Sequence, residues 1–200
     1  MISSSTTPKV ISYNIKAFCK EIDSAGNPVY VIVKPDSTAA INSCFESVAA
    51  YIKQNGGSTQ YGWIIWEESK QSFLEAEFHA VWVSSSGEMV DITPKVDGES
   101  IILFLPDTKR VYKRKLIENR RKLLVINDET LRWLWLGHRQ YLFKEKHFKN
   151  GQVDMNAALK DKALWDRWEN QAQCIKFSRN GQCPCGSGKR LKSCCGKRVR

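Results

Sequence analysis

The chain has 200 residues, of which 42% are hydrophobic and 26% are charged, and its formal net charge is +10. This length accommodates one medium domain, or one domain with a small appendage, and the composition is typical of a globular chain that buries a core without disulfides. No apolar run approaches the ~20 residues of a membrane span, and the start of the chain lacks the apolar segment of a secretory signal, which argues against membrane proteins and disulfide-framework toxins.

Charge is distributed unevenly along the chain. Residues 1–106 carry 7 basic and 12 acidic residues, 107–150 carry 13 and 5, 151–173 carry 3 and 4, and 174–200 carry 8 and none. A basic region attracts polyanions, membrane headgroups or acidic protein surfaces, although it is equally compatible with a solvated helix face. We predict three parts: an α+β domain over 1–106, a basic helical region over 107–173, and a cysteine-rich tail over 174–200.

The first predicted element is a β-hairpin over 10–34, because apolar and polar residues alternate at its start and Val29–Val33 is largely β-branched. An amphipathic helix follows at about 43–54, where Ser43 and Glu46 form a plausible capping box. Strands are then predicted at about 61–67, 74–83, 88–92 and 101–105.

Helical periodicity begins at Asp107 and predicts three helices. The first covers the basic segment Lys109–Lys122, the second starts near Asp128 and the third near Asp154. We interpret the tryptophans of this region as packing residues rather than as platforms for nucleobases; they are Trp133, Trp135, Trp165 and Trp168.

Four of the seven cysteines lie within thirteen residues of the tail. Cys183 and Cys185 are followed after eight residues by Cys194 and Cys195. Two close pairs of thiols separated by a short loop are typical of a tetrahedral zinc site in a reduced, cytoplasmic protein. The neighbouring basic side chains offset the net charge of −2 that four thiolates and Zn²⁺ carry.

The segment Asn180–Gly196 resembles the SEC-C motif, which ends the bacterial preprotein translocase motor ATPase and many otherwise unrelated bacterial proteins. Its pattern is Cys-x-Cys, eight residues, then Cys followed by His or Cys. The resemblance covers about twenty residues and implies that Cys183, Cys185, Cys194 and Cys195 bind one Zn²⁺. It also implies that the basic surface of this zinc knuckle docks onto a protein partner or the ribosome.

The acidic domain contains a candidate catalytic cysteine. Cys44 is predicted to start a helix, whose N-terminal dipole would lower the pKa of its thiol. His79 lies on a predicted strand and off its main apolar face, and Asp91 lies on the next strand, so that antiparallel pairing could bring them together. A thiol nucleophile needs such an imidazole and a group that orients the imidazole.

The order of these residues resembles the transglutaminase-like branch of the papain-like cysteine enzymes. The strands His79–Val83 and Gly87–Pro94 are similar to the His-Ala-Trp and Asp-Pro-Thr strands of that family, with Val81 inserted and Ile92 in place of Pro. The resemblance covers about 42–94. It implies an antiparallel sheet packed against the helix that carries the nucleophile Cys44, with His79 as general base and acid and Asp91 as its orienting group.

Three functions are compatible with these patterns. The first is a cysteine-dependent acyl-transfer enzyme, either an amide hydrolase or a transamidase, that the zinc tail delivers to a partner; donors to its oxyanion could be the Cys44 backbone N–H, Asn42 or Trp63. The second is a non-catalytic zinc-binding adaptor. The third is a nucleic-acid or ribosome binder, for which only charge argues.

Overall fold

The structure is a computed structural model that describes residues 5–68, 70 and 72–197. These residues form two compact units, the first ending at Lys113 and the second beginning at Arg114. Throughout the described part of the chain, every helix is too short or too polar to cross a lipid bilayer. The two units are described separately below.

The N-terminal unit is a mixed α+β structure. In chain order its elements are β1 (Ser5–Thr6), α1 (Tyr13–Ile22), β2 (Val29–Val33), α2 (Cys44–Asn55), β3 (Ser58–Glu68), β4 (Phe73–Val83), β5 (Met89–Asp91) and β6 (Ile101–Pro106). The predicted helix and five of the predicted strands, Val29–Val33 among them, are therefore present, with ends displaced by up to three residues.

Five of these strands close into a barrel-like sheet. β3 pairs with both β4 and β6, β6 pairs with β2, β2 with β5, and β5 with β4. The β2–β5 pair is parallel, so the expectation of an antiparallel sheet is wrong at this position, and a papain-like fold is not confirmed. The short strand β5 closes the ring between β2 and β4.

The barrel has an apolar interior to which four of its strands contribute. This cluster comprises Val31, Val33, Ile64, Val81, Ile102 and Phe104. Gly62 of β3 makes room for it, because a Cβ atom there would lie 2.4 Å from both the Phe104 ring and the Leu105 carbonyl oxygen. A second cluster lies between α2 and the barrel and comprises Cys44, Val48, Ala80, Val90 and Ile92.

The predicted hairpin over 10–34 is wrong, because its first half is the helix α1. The Ser12 side chain accepts a hydrogen bond from the Ile15 backbone N–H and caps this helix. Ile15, Phe18 and Cys19 are buried, and their spacing of three and four residues is that of one helix face. The alternation of apolar residues that predicted a strand coincides with this spacing only at Ile15.

The capping box predicted for α2 is also wrong. Ser43 is the N-cap residue, but its side chain makes no capping hydrogen bond. The C-terminus of α2 agrees with the sequence, since Gly56 has a positive φ of 68° and donates its N–H to the Ile52 carbonyl oxygen.

The C-terminal unit is mainly helical. Its elements are β7 (Arg120–Leu123), α3 (Asp128–Lys146), β8 (Phe148–Lys149), β9 (Gln152–Val153), α4 (Met155–Lys160), α5 (Lys162–Cys174) and a 3₁₀ turn (Leu191–Ser193). The predicted basic helix over 109–122 is absent: this segment is irregular up to β7. Eight of its residues are Lys or Arg, which repel one another on a helix. The predicted third helix is interrupted at Asp161.

Aromatic side chains pack the helices of this unit together. The Phe143 ring of α3 lies 6.0 Å from that of Trp165 and 6.4 Å from that of Trp168. The Arg139 guanidinium lies over the Trp135 and Trp168 rings at 5.0 and 5.5 Å. These contacts agree with the interpretation of the tryptophans as packing residues.

Candidate active site and metal site

Cys44 is the first residue of α2, as the sequence predicts. Asn42 precedes it with a positive φ of 61°, which turns the chain into the helix. The Cys44 side chain therefore lies at the N-terminal end of the helix dipole, where negative charge is stabilised. Only 7% of the residue is exposed, because it packs against the apolar cluster beneath α2.

His79 and Asp91 lie side by side on neighbouring strands. The antiparallel register pairs Trp82 with Val90, so that His79 and Asp91 belong to the opposite, inward face of β4 and β5. The distance between His79 Nε2 and Asp91 Oδ2 is 2.9 Å. His79 is 5% exposed and Asp91 is fully buried. His79 thus faces the inside of the barrel end, not solvent.

Burial is the largest single influence on the pKa of His79, and it favours the neutral ring. Attraction to Cys44 and to Asp91, and hydrogen bonds with both, act in the opposite direction and together outweigh it. The net result raises the pKa of His79 from 6.5 to about 9. His79 is thus hydrogen-bonded to Asp91, and Cys44 lies near enough to influence the charge of its ring.

The Asp91 carboxylate is held in its ionised form. Burial opposes ionisation, but His79 and Lys95 together lower the pKa of Asp91 to about 2. Its Oδ1 atom accepts the Thr93 backbone N–H at 2.9 Å, and its Oδ2 atom accepts the Lys95 ammonium at 2.6 Å. The sequence analysis did not identify Lys95, which follows Asp91 by four residues, as part of this site.

This arrangement has the parts of an activated thiol: a sulfur at a helix N-terminus, an imidazole, and an orienting carboxylate. Of the candidate oxyanion donors, Trp63 is eliminated, because it is buried and its indole N–H donates to Asp107 Oδ2 at 3.1 Å. The Cys44 backbone N–H and the exposed Asn42 remain candidates. The Phe45 ring, next to the thiol, stacks on Tyr112 with 3.7 Å between centroids.

The four cysteines of the tail converge as the sequence predicts. The Sγ atoms of Cys183, Cys185, Cys194 and Cys195 all lie within 4.8 Å of one another. The separations are 3.6 Å between Cys185 and Cys194 and 3.8 Å between Cys194 and Cys195. Four sulfur atoms this close together can bind a metal ion. Hydrogen bonds from the other thiols, that of Cys183 first, lower the pKa of Cys185.

A short hairpin of backbone hydrogen bonds shapes this cluster. The Cys183 N–H donates to the Lys189 carbonyl oxygen at 2.7 Å, and the Leu191 N–H donates to the Gly181 carbonyl oxygen at 2.9 Å. Gly186, with φ +77°, lies against the His138 ring of α3, and a Cβ atom there would be 2.1 Å from His138 Nε2. His138 Nδ1 in turn lies 3.0 Å from a Glu118 carboxylate oxygen.

Comparison with known proteins supports the metal-binding tail. The chain is similar to the protein translocase subunit SecA of Maridesulfovibrio salexigens, with 33% identity over 94 residues, which is 46% of this chain and 11% of SecA. The chain thus matches only a small part of the length of that relative. No protein-family model and no solved structure matches the chain. The SecA similarity and the C-terminal cysteine cluster fit a SEC-C zinc motif; the transglutaminase-like resemblance of 42–94 stays a prediction.

Proposed function

We propose that the chain is a cysteine-dependent acyl-transfer enzyme. The observation that supports this function most directly is the position of the buried His79 ring, which interacts with Cys44 and with Asp91 at the same time. A ring between a thiol and a carboxylate has the partners that general acid–base chemistry requires: a group that gives up its proton to the ring and a group that orients the ring.

In the proposed reaction, His79 takes the proton of the Cys44 thiol and the sulfur attacks the carbonyl carbon of an amide or thioester. The C–S bond forms, the bond to the leaving amine or thiol breaks, and the imidazolium returns its proton to the leaving group. Water or an amine then attacks the thioester and releases Cys44. Asp91 orients the ring and stabilises its positive charge. We propose hydrolysis of a peptide or isopeptide bond as the main reaction and transamidation, in which an amine takes the place of water, as the alternative.

Peptide-resolved alkylation with iodoacetamide tests this proposal on the full chain. We expect Cys44 to react well below pH 8, whereas buried Cys19, whose pKa burial raises to about 12, reacts slowly, and exposed Cys174 serves as the reference for an accessible thiol. His79→Gln is expected to remove the low-pH reactivity of Cys44 alone. Equal, slow labelling of Cys44 and Cys19 would instead favour the non-catalytic adaptor.

We further propose that the metal of the tail is Zn²⁺. Tetrahedral zinc with Zn–S bonds of ~2.3 Å places its sulfur ligands about 3.8 Å apart, and two of the observed separations are 3.6 and 3.8 Å. The thiolates are soft ligands, and exposed basic residues surround them; these are Arg179, Lys189, Arg190, Lys192 and Lys197. Zinc would fix the fold of the knuckle rather than take part in acyl transfer.

Metal analysis of the purified chain tests this assignment. We expect about one zinc per chain, loss of that zinc in Cys185→Ser and Cys195→Ser, and full retention in Cys174→Ser, which removes a thiol outside the cluster. A different metal, or equal loss in Cys174→Ser, would contradict the proposal.

The zinc knuckle is proposed to deliver the N-terminal unit to a protein partner or the ribosome in the cytoplasm. Its support is the similarity to SecA together with the exposed basic side chains of residues 176–197, a described segment without any acidic residue. Binding of a nucleic acid is the weaker alternative. A Cys44→Ser variant that still captures its partner, while Cys195→Ser does not, would separate docking from chemistry.

A further inference from the structure

A third charged group lies in the candidate active site. Lys95 is nearly buried, with 9% of its side chain exposed, and its Nζ atom lies 2.6 Å from Asp91 Oδ2. The same nitrogen lies 3.5 Å from His79 Nε2. Lysine and histidine therefore share a single carboxylate oxygen, since His79 Nε2 is 2.9 Å from that Oδ2 atom as well.

The contact between Lys95 and His79 is not a stabilising hydrogen bond. A lysine ammonium has only donors, and Nε2 of His79 must carry a proton in order to donate to the ionised Asp91. Two donors thus face each other across 3.5 Å. When the ring takes a second proton, two positive charges lie side by side in a buried site, where Coulomb repulsion is stronger than in water.

We propose that Lys95 is a positioning residue of this site: its ammonium holds Asp91 in place while opposing protonation of His79, and so sets the pH range over which the Cys44–His79 pair can exchange a proton. This inference rests on the proposed acyl-transfer function. Without the Lys95 ammonium, Asp91 would attract the imidazolium of His79 unopposed. His79 would then release its proton to a leaving group less readily.

Three side chains face His79, and each comes from a different part of the chain. Cys44 approaches from α2, Asp91 from β5 and Lys95 from the segment after β5. On β3 the residue paired with His79 is Gly62, which has no side chain. On β4 itself, Glu77 lies two residues away and accepts a hydrogen bond from the Trp66 indole N–H. Lys95 is thus the cationic side chain seen in contact with the ring.

The test is the titration of His79 in the full, metal-loaded chain. The ring proton is followed by NMR, with His79→Gln to assign its signal, in the wild type, Lys95→Met, Lys95→Gln and Lys95→Arg. Lys34→Met is the matched control: Lys34 is an exposed lysine next to Val33, which pairs with Asp91, and its backbone N–H donates to the Asp91 carbonyl oxygen. The pH profile of Cys44 alkylation is recorded in parallel.

We expect loss of the charge to raise the His79 midpoint by about one pH unit in Lys95→Met and Lys95→Gln, with the descending limb of any acyl-transfer activity displaced in the same direction. Lys95→Arg and Lys34→Met should titrate as the wild type does. If Lys95 served only to hold Asp91 in place, its replacement would loosen Asp91 and lower the midpoint of the His79 titration instead of raising it.

An unchanged or lowered midpoint in the uncharged variants overturns the inference. If Lys95→Met does not fold, Lys95→Gln and Lys95→Arg still test the inference, because their expected His79 midpoints differ only through the charge at position 95. Failure of the enzyme proposal has a different signature: Cys44 then labels no faster than Cys19 in every variant, whatever the His79 midpoint does.

Discussion

His79 is surrounded by groups that act on its charge in opposite directions. Burial disfavours the imidazolium, whereas Cys44 and Asp91 favour it strongly enough to raise the pKa to about 9. A group whose pKa is higher in the folded than in the unfolded chain binds its proton more tightly when folded, so the protonated form stabilises the fold. The stabilisation is complete below the unfolded value of 6.5 and is lost as the pH rises through 9.

The first prediction follows from this sign. Between pH 6 and pH 10 the free energy of unfolding of the wild type should fall relative to that of His79→Gln, by about 3 kcal/mol at most, since one pKa unit corresponds to ~1.4 kcal/mol. Urea unfolding at several pH values and constant ionic strength measures the difference. A difference that stays constant or grows with pH would show that the charged ring does not stabilise the fold.

Residue types, their order and the family resemblance led to the prediction that Cys44, His79 and Asp91 form one site. The structure places His79 and Asp91 2.9 Å apart, and the role of the three residues stays a prediction. The same reasoning placed His79 off the main apolar face of its strand, where it could meet a helix terminus or solvent, and the structure shows it buried. Lys95 was missed because nothing in the spacing distinguishes a lysine that turns back onto a buried carboxylate from one of the many exposed lysines in this chain.

At the scale of elements, α1 shows how local alternation misleads. Its sequence contains β-favouring Ile and Tyr residues at alternate positions, but the buried face is the one that contains Ile15, Phe18 and Cys19. Packing of this buried face and the cap that Ser12 provides favour a helix over a strand here. Neither can be recognised from an alternation of apolar and polar residues. By contrast, α2 and α3 have apolar faces long enough to be predicted.

The second prediction compares two serines at helix N-caps. The Ser12 side chain accepts a hydrogen bond from the Ile15 N–H, whereas the Ser43 side chain makes no capping bond. Ser12→Ala should therefore lower the free energy of unfolding by about 1 kcal/mol, and Ser43→Ala should change it much less. Urea denaturation of both variants measures this. Equal losses would mean that the capping bond does not stabilise α1.

The third prediction concerns the loop between the two cysteine pairs. Gly186 and Gly188 both have positive φ angles, of +77° and +71°, but only Gly186 is in contact with His138, while a Cβ at Gly188 meets open space. Alanine should cost about 1–2 kcal/mol of backbone strain at either position. At Gly186 it should additionally displace the loop from His138 and weaken metal binding.

Competition with a chromogenic chelator measures the metal affinity of Gly186→Ala and Gly188→Ala. We expect the loss to be at least tenfold greater for Gly186→Ala, and His138→Ala in the same chain to recover part of it, because the smaller side chain removes the steric conflict. Identical affinities in the two glycine variants would contradict the proposed support of the loop by α3.

At the scale of the whole molecule, charge is divided between the two parts of the chain. Residues 1–113 carry 10 basic and 13 acidic residues, and residues 114–200 carry 21 and 8. The fourth prediction is that any binding of a single-stranded oligonucleotide depends on the second part and weakens steeply as salt increases, because it releases counterions. Fluorescence anisotropy at several salt concentrations measures it.

Charge reversal of four exposed residues of the knuckle should reduce this binding; these are Arg179, Lys189, Arg190 and Lys192. Reversal of Lys9, Lys16, Lys20 and Lys53 in the acidic part is the matched control and should leave it intact. Negligible binding of the wild type at low salt would remove the nucleic-acid alternative and leave a protein partner.

The closure of the barrel is the feature of the fold that could least be predicted from the sequence. The strands and the helix α2 follow from periodicity, but closure depends on β2 pairing in parallel with β5, two segments separated by 55 residues. Pairing between distant segments is decided by which ends of the strands can meet once the core has formed, and a one-dimensional pattern contains no such information.

The three-residue strand β5 both completes the ring of strands and brings Asp91 to His79. During synthesis, His79 and Cys44 leave the ribosome before Asp91 and Lys95 do, so the imidazole has no carboxylate partner until the ring can close. If the proposed function is correct, the Cys44 thiol would gain its full set of neighbours only after β5 has closed the ring of strands.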